Sequence, residues 1–209
     1  MRFAAVYGNT SFMGLPLIQA VLGGEAVMIA VVGVAVFNTV TWTQGRVLIG
    51  GRTELSVKKV ALNPGVLGLA VGLLLFFTGW RLPGPVDSAV GYLGSLNTPL
   101  AMVVIGGQMA QADLVQVFST KKLYLVSAVK LLGIPLLTAL VLLPFRLDGM
   151  VYVAAVILAG CPTAGATSLF AQSMGRDASL AARQVTLSTL LCLITLPVTA
   201  VLAQLLAVT

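Results

Sequence analysis

Histidine is absent from this 209-residue chain, cysteine occurs twice, and charged residues make up only 9 % of it. Without histidine no Ser-His-Asp triad can form, and a catalytic zinc site of the usual His, Cys and Glu ligands lacks its donors. Cys161 and Cys192 lie inside apolar stretches, so they read as small hydrophobes and not as a disulfide framework. An ordinary soluble domain is about a quarter charged, which this composition excludes. A hydrophobic fraction of 58 % and a mean hydropathy of +1.04 exclude a disordered chain as well. What is present is therefore the material of an all-α polytopic membrane protein. No acid pair or activated nucleophile marks it as an enzyme, and no cofactor or metal is called for. Twelve bases against six acids give a net charge of +6, but the bases are scattered and not interleaved with aromatics, so nucleic acid is not an expected partner.

A membrane helix needs about 20 largely apolar residues. That rule predicts seven transmembrane helices, over residues 3–22, 26–44, 64–80, 88–110, 123–145, 150–173 and 179–207, joined by short connections. Lysine and arginine set the orientation, since short loops rich in them stay cytoplasmic. Arg2, Arg46, Arg52, Lys58, Lys59, Lys121, Lys122, Arg176 and Arg183 fall on one side, Arg81 and Arg146 on the other. The expectation is a multi-pass protein of the cell inner (plasma) membrane, with the 45–63 loop cytoplasmic and the C-terminus outside. Trp42 and Trp80, near span ends, read as interface anchors, and the Gly68–Gly72 spacing as a close helix-packing face. All six acids lie at span ends or in loops, which argues against a proton relay through carboxylates in the bilayer.

Two spans are interrupted. The first carries Gly8-Asn9-Thr10-Ser11-Phe12-Met13-Gly14-Leu15-Pro16, the sixth Gly160-Cys161-Pro162-Thr163-Ala164-Gly165-Ala166-Thr167-Ser168. Glycine and proline weaken the helical ladder, and non-helical backbone at membrane depth is tolerated only when buried or lining a cavity. Thr10, Gln19, Gly23, Glu25 and Ala26 also align with Thr163, Gln172, Gly175, Asp177 and Ala178, with one residue deleted. Five spans apart, the two interrupted segments run in opposite directions, as an inverted repeat requires.

The run Asn9 to Ile18 followed by Gly23 resembles the fourth helix of the auxin efflux carrier family. Phe170-Ala171-Gln172-Ser173-Met174-Gly175-Arg176-Asp177, with Leu187-Ser188-Thr189 and Leu196-Pro197-Val198-Thr199, resembles its ninth and tenth helices. Asn97-Thr98-Pro99-Leu100-Ala101-Met102 and Lys130-Leu131-Leu132-Gly133-Ile134-Pro135-Leu136 are similar to its seventh and eighth. The resemblance implies helices four to ten of a ten-helix inverted-repeat fold, with helices four and nine broken and crossing beside the substrate. Residues 1–44 would be the last two helices of the first repeat, 45–63 the connecting loop and 64–209 the complete second repeat. Helices one to three have no counterpart; a truncation, a misassigned start and a genuine short form are all open. The short connection resembles the bacterial branch, whose members carry malate, malonate and similar carboxylates.

The expected function is secondary transport of small organic anions such as dicarboxylates, by alternating access around the crossed broken helices. The alternative is a truncated half-transporter, acting only as a membrane binding or assembly subunit or inactive. Partners are the anion and the lipid bilayer, with a homo-oligomer left open. The breaks at Gly8–Pro16, with Gly14 and Pro16 in it, and at Gly160–Gly165, with Pro162 in it, would expose half-helix N-termini, whose partial positive charge suits a carboxylate. Asn9, Thr10, Ser11, Thr163, Thr167 and Ser168 would add hydrogen bonds, unless the hydroxyls merely bond back to their own helix. Lys130, the one base inside a span, reads as an anion-attracting group, as a coupling group, or as a side chain that snorkels to the cytoplasmic face. Asn97 reads either as a kink residue beside Pro99 or as a substrate contact.

Overall fold

In the computed structural model, which describes residues 1–50, 64–110, 112–175 and 177–207, every regular element is a helix, and a lone antiparallel bridge joins Gly8 to Thr163. The short α1 (Arg2–Val6) ends at an extended Tyr7, and α2 (Thr10–Leu22) begins after the break. Gly23, at φ +85°, turns the chain into α3 (Glu25–Gly50). Then come α4 (Pro64–Thr78), α5 (Gly84–Ser95), α6 (Asn97–Ala110) and the one-and-a-half-turn α7 (Leu114–Ser119). The second half continues with α8 (Lys121–Phe145), α9 (Gly149–Gly160), α10 (Ala166–Ser173) and α11 (Ser179–Ala207).

The five acids among the described residues sit at helix starts. Asp113 caps α7 by accepting from the Gln116 N–H at 3.2 Å, and Asp148 caps α9 through the Met150 N–H at 2.9 Å. Asp177 accepts from the Ser179 N–H at the start of α11, while Glu25 and Asp87 sit in the first turns of α3 and α5. A carboxylate there complements both the unpaired N–H groups and the positive end of the helix dipole.

Proline shapes two other helices. Wider π-type turns occupy Thr10–Gly14 and Val129–Gly133, and each is followed by the same pattern, Gly14-Leu15-Pro16 and Gly133-Ile134-Pro135. A proline ring clashes with the carbonyl four residues back and brings no N–H, so a widened turn relieves both defects. In α8 this adjustment surrounds Lys130.

By length and apolarity, α3, α8 and α11 are each able to cross a membrane singly. The shorter apolar α2 and α9 are the pieces of the two spans expected to be interrupted. The expected 26–44 span runs on as helix to Gly50, the 64–80 span ends at Thr78, and the 88–110 span is split at Leu96 between α5 and α6. The rest of the 45–63 connection lies outside the described residues. The expected glycine packing face finds no neighbour: a Cβ on Gly68 or Gly72 would have nothing within 4 Å among the described residues.

At the centre α9 packs on α11, α8 and α3. The buried cluster there is rich in small residues, with Ala26, Ala30, Ala139, Ala154, Ala200 and Ala203 beside Ile18, Tyr152 and Ile157. Small side chains let helix backbones approach, which is how helices associate where lipid is as apolar as the core. Large apolar side chains cover the outside instead, Phe77 being 80 % and Val103 72 % exposed. An exterior of that kind belongs in a bilayer. The chain is an all-helical integral membrane protein.

Candidate functional site

The two broken segments meet backbone to backbone. Asn9 N–H donates to the Pro162 carbonyl at 2.7 Å, and Ala164 N–H donates to the Tyr7 carbonyl at 3.0 Å. Two reciprocal bonds of this kind satisfy groups that the helix breaks set free inside the protein. Glycine at position 8 is required by the approach, because a Cβ there would stand 2.9 Å from the Cys161 carbonyl oxygen and 3.0 Å from Lys130 Nζ. Thr163 ties the crossing to its surroundings. Its hydroxyl donates to the Ala4 carbonyl at 3.0 Å, and its N–H donates to Ser188 Oγ on α11 at 3.1 Å.

Beside the crossing lies a cavity of about 530 Å³. Its polar side is built from Gly8, Asn9, Thr10 and Ser11 on one broken segment and Ala164, Gly165 and Ala166 on the other. No carbonyl among the described residues takes up the N–H groups of Thr10, Ser11, Phe12, Gly165 or Ala166. These are the orphan donors at the starts of α2 and α10, and all five residues line the cavity. The side chains of Asn9, Ser11 and Asn38 likewise have no hydrogen-bond partner among the described residues, and Thr10 Oγ1 is buried and unpaired. The opposite wall is apolar, with Phe37, Trp42, Phe170, Leu100 and Ile105, and no charged side chain lines it among the described residues. Trp42 stacks edge-on against Phe170 at 4.8 Å.

Such a site offers hydrogen-bond donors without carrying a charge, in a chain with many large apolar side chains on its outside. Residues 52–200 match the family of proteins described as membrane transport protein. The chain belongs to that membrane transport protein family. It is 26 % identical to an uncharacterized transporter of Methanothermobacter thermautotrophicus, over 94 % of this chain and 65 % of the relative. It is also 26 % identical to a candidate malonate transporter of Rhizobium meliloti, over 92 % of this chain and 63 % of that protein. The chain thus spans a little less than two thirds of the length of both relatives. Both relatives carry the name of a transporter.

In this chain the residues singled out from sequence separate into two groups. Asn9, Thr10 and Ser11 line the cavity with uncommitted donors. Thr167 and Ser168 bond back to the carbonyls of Ala164 and Gly165, at 2.6 and 2.9 Å, and Thr163 is held by Ala4, so these three hydroxyls build the crossing and do not face the cavity. Pro162 contributes its carbonyl to Asn9. Gly14 lets α2 pack on α9, since a Cβ there would lie 2.8 Å from Leu158 Cδ2, and Pro16 is exposed within α2. Lys130 does not snorkel: it is 1 % exposed, and its ammonium donates to the Ala159 carbonyl at 2.9 Å. It is not among the residues lining the cavity. The Asn97 side chain lies outside the described residues. Asn38, Thr41 and Trp42 line the cavity and were not expected there; Trp42 is an inner wall and not an interface anchor, whereas Trp80 is 69 % exposed.

Proposed function

We propose that the chain is the crossing half of a secondary transporter that moves small organic anions, with the carboxylate held between the starts of α2 and α10. The observation that carries this reading is the set of five main-chain N–H groups, on residues lining one cavity, that have no partner among the described residues, joined there by the side chains of Asn9, Thr10, Ser11 and Asn38, likewise without one. Each half-helix start carries about half a positive charge, so two starts together match one carboxylate. Hydrogen bonds to a charged group contribute about 1.5–3 kcal/mol each. A site made of dipoles holds an anion without the permanent charge that would be costly in the bilayer when empty, and that favours release as well as capture.

A dicarboxylate such as malonate is the substrate we favour, supported by the name of the Rhizobium meliloti relative and by Asn38 as a donor for a second carboxylate. The two broken segments support an inverted repeat. Each runs helix, break, half-helix, left-handed glycine and long helix, with Gly23 at φ +85° and Gly175 at φ +64° in corresponding places. In this reading seven spans cross the membrane, the 45–63 connection is cytoplasmic, and rocking of one repeat against the other exposes the cavity alternately to either side.

Uptake of labelled malonate into proteoliposomes bearing the protein, or variants of it, tests the proposal. Asn9→Ala and Pro162→Ala are expected to reduce uptake at sub-saturating malonate about tenfold, which corresponds to ~1.4 kcal/mol. Unchanged uptake and affinity in both variants would remove the crossing from the mechanism. Malonate binding without any uptake would favour a binding or assembly subunit.

A further inference from the structure

The last turn of α9 ends at the crossing, and its carbonyl oxygens must find partners there. Leu158 accepts from the Cys161 N–H at 3.4 Å, and just beyond the helix end Pro162 accepts from the Asn9 N–H. The Ala159 carbonyl is different, because its partner is the Lys130 ammonium at 2.9 Å, reaching in from the widened turn of α8. No carboxylate among the described residues bonds or pairs with this ammonium. It is buried, and Gly8 of the other broken segment lies so close that an added Cβ would be 3.0 Å from Nζ. Three segments therefore converge on one positive charge: α8, the end of α9 and the first break. The partner of that charge is the negative end of a helix dipole, worth about half a unit.

We propose that Lys130 is a positioning residue whose ammonium acts as a tethered monovalent cation, fixing the C-terminal end of α9 against the first break. The crossing then carries its charges in order. The carbonyl end is neutralised by the protein's own cation, and the N–H ends stay free for an anion. A lysine suits this place because its compact ammonium offers three donors at the tip of a thin apolar stem. The inference rests on the fold and not on the transport reading, so either can fail without the other.

Truncation of Lys130 to alanine deletes three carbons and the ammonium, the atoms of n-propylammonium. The Lys130→Ala protein is therefore expected to bind that cation in the vacated space. Thermal unfolding of the purified protein in detergent can be followed with a thiol-reactive fluorophore, since Cys161 and Cys192 are both buried and free. The midpoint of Lys130→Ala should fall below that of the unaltered protein and recover by at least half in n-propylammonium chloride. Sodium chloride or tetrapropylammonium chloride at equal concentration should not restore it, and the unaltered protein should not respond. Lys130→Met, which keeps an unbranched stem of similar bulk but ends without the ammonium, should stay low, and Lys130→Arg should lie above it. A Lys130→Met midpoint equal to that of the unaltered protein would overturn the proposal, as would an equal response of Lys130→Ala to all three salts. If Lys130→Ala fails to accumulate, membrane yields decide: a higher yield of Lys130→Arg than of Lys130→Met supports the tethered cation, and the reverse order overturns it.

Discussion

Single residues at the crossing divide into those that build it and those left free, and the two kinds should respond oppositely to substitution. Thr10→Val removes a buried hydroxyl with no partner, so stability should hold or rise while anion affinity falls. A lost hydrogen bond to a charged group, about 1.5–3 kcal/mol, makes that fall about tenfold or more, readable in a malonate titration. Thr163→Val should do the reverse, losing about 0.6–1.7 kcal/mol of stability through the orphaned Ala4 carbonyl. Gly8→Ala must push against the Cys161 carbonyl and the Lys130 ammonium, a strain of about 1–3 kcal/mol, whereas Gly72→Ala meets nothing among the described residues and serves as its control. Unfolding midpoints in detergent check both. Asn9, Thr10 and Ser11 were legible in the sequence because a polar run flanked by glycine and proline inside an apolar span has few structural uses. Thr163, Thr167 and Ser168 looked the same on paper, and only the positions of the Ala4, Ala164 and Gly165 carbonyls show that their hydroxyls are already committed.

At the scale of elements, α8 and α11 were legible almost to the residue, as the expected 123–145 and 179–207 spans show, whereas α3 runs past its expected end and the 88–110 span is split. Hydropathy marks where a chain can enter lipid, and little competes with it. The interruptions were legible too, and the family resemblance implied that they cross; which residues touch was not legible, because the contact between Gly8 and Thr163 is a property of the crossing. Asn38, Thr41 and Trp42 stayed hidden for a related reason: α3 is an uninterrupted helix, and its polar end becomes a cavity wall only when α10 brings Phe170 against it. The widened turn in α8 yields a prediction with an unusual sign. Replacing a proline by alanine within a helix ordinarily stabilises it, by up to about 3 kcal/mol. Pro135→Ala should instead lower the unfolding midpoint, because a tightened turn would swing Lys130 by about 100° away from the Ala159 carbonyl. A raised midpoint would mean that the wide turn places nothing.

For the whole molecule, the nine-to-two distribution of bases predicts a sidedness that can be read chemically, since both native cysteines are buried. Leu147→Cys should react with a membrane-impermeant maleimide in intact cells, and Lys122→Cys only after permeabilisation. The opposite pattern would invert the topology. The proposed function depends on the cavity at the crossing being an anion site. Equilibrium binding of labelled malonate to the purified protein tests this most directly, with Asn9→Ala/Ser11→Ala as the altered site and Thr78→Val, on the exposed α4, as the control. The account predicts saturable binding, displaced by other small carboxylates, unchanged by Thr78→Val and weakened about tenfold or more in the double variant, ~1.4 kcal/mol for each factor of ten. Saturable binding of equal strength in all three proteins would contradict it.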